Sequence, residues 1–221
     1  MEIADNQLVE AGYPPLQRAG WYKRVQAWML TQRSPAYDAL VAGRKLALLS
    51  RLEGTILEIG PGAGANLPFF RPSVRWVGVE PNPYSHARLR AEAMRLGLDA
   101  EIRLGTAEQL PFPDLTADAV VGTLVLCSVR DQAAALREIR RVLRPGGRFV
   151  FMEHVLAPPR TRRRLAQRLV APLFPLLADG CHPDRDTARA IREAGFARVE
   201  LQPFDLPVPV VGSHLAGIAW V

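Results

Sequence analysis

The stretch Thr55-Ile-Leu-Glu-Ile-Gly-Pro-Gly-Ala-Gly64 decides the fold. Its first half is a short apolar run with β-branched residues, which reads as a buried strand. Its second half is a turn with glycine at alternate positions, where the backbone can pass close to a ligand and adopt positive φ without steric cost. The loop is expected to enter a helix at about Asn66, whose N-terminal amides would meet an anionic ligand group. A second strand over residues 74–79 leads into Glu80, 20 residues after Gly60. A carboxylate there can accept hydrogen bonds from both hydroxyls of a ribose. The turn by itself would also suit a nicotinamide-dinucleotide fold or a turn with no ligand.

Moving outward, short apolar strands alternate with helical segments. Strands are expected at residues 100–104, 117–122 and 148–153, and helices at 84–96 and 132–143, the last ended by Arg144-Pro-Gly-Gly147. Upstream, residues 21–32 and 35–50 read as two helices, the second with Leu40, Leu46, Leu48 and Leu49 as its apolar stripe. Downstream come a Pro-interrupted helical insertion at 160–177, a helix at 187–194, and two final strands at 199–202 and 215–221. Strands alternating with helices imply a parallel sheet covered on both faces.

The bulk composition excludes more than it assigns. With 221 residues the chain can bury a sizeable core without a disulfide or metal staple. Its net charge of +6 is almost wholly arginine, since Lys23 and Lys45 are the only lysines. A scattered arginine surface does not itself make a nucleic-acid partner, and none is expected. The first 20 residues lack the basic-then-apolar pattern of a signal peptide, and no run is apolar for long enough to span a membrane. A cytoplasmic protein with at most peripheral membrane contact is the expectation. The 4 histidines and 2 cysteines show no metal-ligand spacing, so no metal is expected.

Four features together separate this turn from a dinucleotide site. The spacing is E-x-G-x-G-x-G from Glu58 to Gly64; Glu80 is in place; Ala107-Glu-Gln-Leu-Pro-Phe112 follows the third strand; and Arg141-Val-Leu-Arg-Pro-Gly-Gly147 precedes the fifth. Over roughly residues 45–155 the chain resembles class I S-adenosylmethionine-dependent methyltransferases. The resemblance implies a Rossmann-like α/β fold, with a seven-stranded, mostly parallel sheet in the order 3-2-1-4-5-7-6 and helices on both faces. It implies S-adenosylmethionine as donor and S-adenosylhomocysteine as product. Carried over residue by residue, Glu58, Gly60, Gly62, Gly64 and Asn66 would cradle the methionine part and Glu80 the ribose. Pro81, Asn82, Thr106, Ala107 and Glu108 would lie by the adenine, and Leu124 would line the methyl-donor side. Many relatives have Asp-Ala where this chain has Thr106-Ala107.

Further stretches are less generic: Gly122-Thr-Leu-Val-Leu-Cys-Ser-Val129, Phe151-Met-Glu-His-Val155, Asp179-Gly-Cys-His182 and Ala194-Gly-Phe196. They look like the methyltransferase-like alkyl thiol S-methyltransferases, which have a UbiE-like core. Animal members of that group carry an apolar anchor that this chain does not show. The resemblance implies a small-molecule thiol acceptor; the alternative is O- or C-methylation of a quinone or natural product. Pro81-Asn-Pro-Tyr84 resembles an amino-methylating motif but follows the second strand rather than the fourth, which argues against nucleic-acid methylation. His154 and Asp179 are the candidate catalytic residues, as base and as base or base-orienting group. In domain terms, residues 1–50 would cover the donor and acceptor site and residues 51–221 would form the methyltransferase domain, with an acceptor-side lid at 156–186.

Overall fold

A computed structural model of the chain describes residues 20–31 and 35–221. Two helices come first, α1 (Gly20–Thr31) and α2 (Pro35–Leu49), followed by β1 (Thr55–Ile59), β2 (Arg75–Val79), α3 (His86–Arg95), β3 (Asp99–Arg103) and β4 (Ala117–Thr123). Then come α4 (Gln132–Val142), β5 (Leu143–His154), α5 (Arg162–Val170), α6 (Phe174–Leu177), α7 (Thr187–Glu193), β6 (Arg198–Asp205) and β7 (Ser213–Trp220). The seven strands make one sheet in the order β3-β2-β1-β4-β5-β7-β6. β1 pairs in parallel with β2 and β4, and β7 runs antiparallel to both β5 and β6. The strand order expected from the sequence is therefore the one observed.

The two cores follow from the alternation of side chains along the strands. Leu57, Ile59, Val77, Val79, Val120, Phe149 and Phe151 pack with Leu136 and Ile139 of α4 and Ile191 of α7 on one face. Ile56, Trp76, Ala119, Val121 and Val150 pack with Leu49 of α2 and Leu89 of α3 on the other. Both faces are covered, which is why the central strands are mostly apolar, with the buried carboxylates of Glu58 and Glu153 as exceptions. Side-chain caps fix the helix starts: Asp131 accepts from the Ala134 amide at 3.0 Å, and Asp186 from the Arg189 amide at 3.1 Å.

Three expectations change. No α-helix follows Asn66; the chain makes only a 3-10 turn, Leu67–Phe69, because Pro68 lacks a donor and the Asn66 side chain is used elsewhere. Arg144-Pro-Gly-Gly147 lies inside β5, where the register with β4 jumps from Ala117↔Leu143 to Ala119↔Arg148, so it is an irregularity in the strand rather than a linker before it. The leucine stripe of α2 is also displaced: Leu40 and Leu46 are exposed, while Val41, Lys45 and Leu49 face inward. On the insertion, Leu165, Leu169, Leu173, Leu176 and Leu177 are exposed. The N-terminal leader reading and the expected helix end at Gln32 lie outside the described residues. No helix among the described residues is long and apolar enough to cross a membrane.

Candidate functional site

The sheet order reverses between β1 and β4, and the crevice outside the carboxyl ends of these strands is where open α/β folds take ligands. A cavity of about 1280 Å³, counted to its opening, lies there. Gly60, Pro61, Gly62 and Ala63 form its floor, Val79 to Asn82 one side, and Thr123 to Val125 the other. Gly60 has φ +57, and a Cβ on it would stand 2.8 Å from Val125 Cγ2. Gly62 has φ +55 and faces the cavity. Both positions therefore favour glycine, Gly60 for packing against the β4 loop and Gly62 for its positive φ on the cavity floor.

Glu80 is buried at the rim, and its two oxygens are both used. The Gly62 amide donates to Oε2 at 2.9 Å, and the Asn82 amide donates to Oε1 at 2.8 Å. The acidic side chain thus ties the glycine loop to its own strand end, and each oxygen keeps a lone pair for a ligand hydroxyl. Burial raises the Glu80 pKa to about 7, against the two amide hydrogen bonds; Asp179 raises it further and Lys23 lowers it. Below β2's end, His86 Nε2 lies 2.9 Å from the Glu80 carbonyl and holds the turn.

Helix α1 closes this side. Lys23 Nζ donates to the Pro81 carbonyl at 3.1 Å, Asn82 Nδ2 donates to the Lys23 carbonyl at 2.8 Å, and the Tyr22 hydroxyl donates to the Leu176 carbonyl at 3.3 Å. Lys45 of α2 donates to the Ala65 carbonyl at 3.3 Å. Lys23, Lys45 and Tyr37 all line the cavity, and both lysines are buried. The sequence reading missed these three. A signal was available, because the only two lysines of an arginine-rich chain fall on the two helices that precede the glycine loop.

Of the residues singled out in the sequence, Gly60, Gly62, Glu80, Pro81, Asn82, Ala107, Leu124 and Asp179 line the cavity; Glu58, Gly64, Asn66, Thr106, Glu108 and His154 do not. Glu58 points to the α2/α3 face of the sheet with Ile56. There its oxygens accept from Trp76 Nε1 and Asn66 Nδ2, each at 2.8 Å. Asn66 Nδ2 also donates to Thr123 Oγ1, which does line the cavity. These two brace the loop from beneath. Gly64 closes the loop onto Pro61, and Thr106 pairs with Gln109 across a tight turn. Glu108 accepts from the Arg130 amide at 2.7 Å, joining the segment after β3 to the one after β4.

Asp179, at φ +48, reaches the cavity from the insertion; burial raises its pKa and Lys23 lowers it. His154 ends β5 but sits behind the cavity wall, with Nε2 2.8 Å from Cys181 Sγ. Cys127 completes a buried group in which the two sulfurs and a His154 nitrogen all lie within 4.8 Å. Burial works against charging His154, but the Cys127 sulfur and Glu153 outweigh it and raise its pKa. The contact with Cys181, then burial, push the Cys127 thiol well up. Glu153 is fully buried, and burial raises its pKa to about 7 although Oε1 accepts the Val125 and Leu126 amides.

A nucleoside donor fits what is present: a bare glycine floor, a two-oxygen acceptor at the end of β2, and mostly apolar walls where a reacting group would lie. Comparison with known proteins agrees. A family model described as a methyltransferase domain matches residues 57–151. Human thiol S-methyltransferase TMT1A is 35% identical over 205 residues, covering 87% of this chain and 84% of that protein. The ubiquinone/menaquinone biosynthesis C-methyltransferase UbiE of an Enterobacter species is 35% identical over 127 residues, 49% of each chain. Among solved structures, a Thermotoga maritima S-adenosylmethionine-dependent methyltransferase superposes with a TM-score of 0.61 at 19% identity, covering 99% of both chains.

Proposed function

This chain belongs to the S-adenosylmethionine-dependent methyltransferases, in the family that includes human thiol S-methyltransferase TMT1A, and from that premise we propose that its acceptor is a small-molecule thiol. The supporting observation is extent. Similarity to the thiol enzyme runs over 87% of the chain, well beyond the donor-binding core, whereas similarity to the quinone C-methyltransferase covers 49%. In this fold the core binds the donor, and the segments beyond it shape the acceptor pocket.

The donor supplies a sulfonium-bound methyl group that moves by in-line displacement. On this reading Gly60 and Gly62 admit the donor's backbone-hugging part, Glu80 takes its ribose hydroxyls, and Lys45 faces its carboxylate end. Pro81, Asn82 and Ala107 flank the base; Glu58 and Asn66 hold the loop in shape. Leu124, Val125, Val129 and Met152 keep the transfer zone apolar, which favours a step that neutralises charge. Residues 20–49 and the insertion act as covers, one over the donor and one over the acceptor. A thiol of pKa about 8.5 is partly ionised near neutrality, so alignment supplies most of the acceleration.

On this reading Asp179, which lines the cavity, receives the thiol proton, while His154 lies behind the wall against Cys181. Asp179→Asn is therefore expected to lower kcat/KM for a thiol by about 10²-fold, in line with loss of a general base, while the donor dissociation constant moves by less than about fivefold. In the native protein kcat/KM should rise with pH through the elevated Asp179 pKa, because the ionised form is the base. An unchanged pH profile in the variant would remove Asp179 from proton transfer. The acceptor itself is tested by methyl transfer from labelled S-adenosylmethionine to matched thiol, phenol and catechol series. Thiols alone should be methylated; transfer to oxygen acceptors instead would replace the thiol reading with the O-methyl one.

A further inference from the structure

Three side chains that do not line the cavity form a buried sulfur-and-imidazole cluster among the described residues. Cys127 lies in the loop after β4, His154 at the end of β5 and Cys181 in the turn after α6; each is buried. Their two sulfurs and one imidazole nitrogen lie within 4.8 Å of one another. We infer that Cys127, His154 and Cys181 form a binding site for a thiophilic divalent ion of the zinc class.

The donor set fits that ion. Two thiolates and one imidazole are ligands zinc takes in preference to hard cations, and a three-residue set leaves one position for a non-protein ligand. Bonds of about 2.3 Å to sulfur and about 2.0 Å to nitrogen place the ligand atoms of a tetrahedral site roughly 3.5–3.8 Å apart. With one pair at 2.8 Å and none farther apart than 4.8 Å, the atoms are compatible with this spacing. The 2.8 Å His154–Cys181 contact has only to open by less than about 1 Å, a side-chain adjustment.

The backbone around the three residues is already fixed. Glu153 Oε1 accepts the Val125 and Leu126 amides, at 3.0 and 3.1 Å, and so holds the loop that carries Cys127. The His182 amide donates to the Cys127 carbonyl at 2.9 Å, clamping the Cys181 turn against that loop. Arg185 donates to the carbonyls of Leu126 and Val129 and keeps a positive charge on the same side as both sulfurs.

The site also contains buried polar atoms left over. His154 Nδ1 and Glu153 Oε2 have no hydrogen-bond partner among the described residues. With Nε2 facing the sulfurs, Nδ1 is the nitrogen left outside the ligand set, where a ligating imidazole ordinarily donates its remaining N–H to an acceptor. Loading balances in charge: one divalent ion forms two metal–sulfur bonds and two thiol protons leave, so the buried charge is unchanged.

The position gives the ion a structural consequence. Ser128 Oγ lies 3.6 Å from Cys127 Sγ, and Ser128, Met152 and Asp179 all line the cavity. An ion held here braces three separate segments of the acceptor-side wall at once. The inference rests on the side chains alone and is independent of which acceptor is methylated.

The test is cobalt and zinc binding by the full-length reduced protein under anaerobic conditions. Cobalt is expected to bind one per chain, with a sulfur-to-cobalt charge-transfer band and the intense visible bands of tetrahedral coordination, and zinc to displace it with affinity on the order of nanomolar or tighter. Cys127→Ser and Cys181→Ser should each lose the charge-transfer intensity and at least about 100-fold in affinity, with His154→Ala weaker than native. X-ray absorption at the zinc edge of the native protein, which needs no variant to fold, should show two sulfurs at about 2.3 Å. Gly62→Val, blind to the donor, should bind metal as the native protein does, so failure of the donor site and failure of the metal site give different results. No thiolate band, bands that survive both serine variants, or a Cys127–Cys181 disulfide that persists in excess zinc would overturn the inference.

Discussion

Gly62→Val is expected to abolish measurable donor binding, with the dissociation constant for S-adenosylmethionine rising by at least about 100-fold. Two effects act together. The residue sits at φ +55, where a β-branched side chain is an outlier costing about 1–3 kcal/mol, and the loop must shift to relieve it. Any shift moves the Gly62 amide away from Glu80 Oε2, a 2.9 Å bond that joins the two halves of the donor site. Whatever position the loop then takes, three added carbons occupy the cavity floor. Titration calorimetry with the donor checks this, alongside circular dichroism to show that the sheet is intact. An affinity within about threefold of native would mean that the donor does not lie on this loop.

Glu80→Gln carries the second large effect. The carboxylate accepts from two backbone amides, so an amide side chain must present its own NH₂ to one of them. A buried donor left facing a donor costs about 1–3 kcal/mol, and the charge-assisted bonds offered to the ribose are lost as well. Donor affinity should fall by about 10²-fold. The native protein should show a pH dependence that the variant lacks. Burial holds Glu80 near a pKa of about 7, with Lys23 and Asp179 as its charged neighbours. Only the ionised form accepts at both oxygens, so native affinity should weaken as pH falls below about 7, by up to tenfold per unit, and level off above it. By reciprocity, donor binding at pH 6 should expel a proton. A native affinity flat from pH 6 to 8, as measured by calorimetry in buffers of different ionisation enthalpy, would detach Glu80 from the donor.

What could be read from the sequence was whatever depends on local pattern. β1, the glycine turn and Glu80 lie close together along the chain, and the alternation of strand and helix points to a parallel sheet covered on both faces, while the strand order is what the family resemblance implies. Where the reading failed, a longer-range contact had overridden a local rule. Glu58 stands in the loop motif, but strand alternation turns it to the Trp76 face. Asn66 stands where the local pattern starts a helix, but Glu58 and Thr123 take its amide instead. The α2 stripe was assigned by counting leucines, whereas Lys45 buries its stem and delivers its charge to the cavity. The Cys127, His154 and Cys181 group escaped because its members are 27 residues apart in each step, far beyond any ligand-spacing rule. Only the sheet order brings the ends of β4 and β5 side by side and sets the turn after α6 over them.

The placement of both lysines has a practical consequence. Arginine does not react with acylating or reductively alkylating reagents under mild conditions, so this chain offers such reagents two ε-amines, Lys23 and Lys45, and its α-amino group. Both ε-amines face the same cavity. On lysine-containing peptides, an amine-selective label should therefore report on the binding site alone. Modification read peptide by peptide by mass spectrometry would footprint occupancy directly, and a saturating ligand would shield Lys23 and Lys45 in proportion to how much of the cavity it fills.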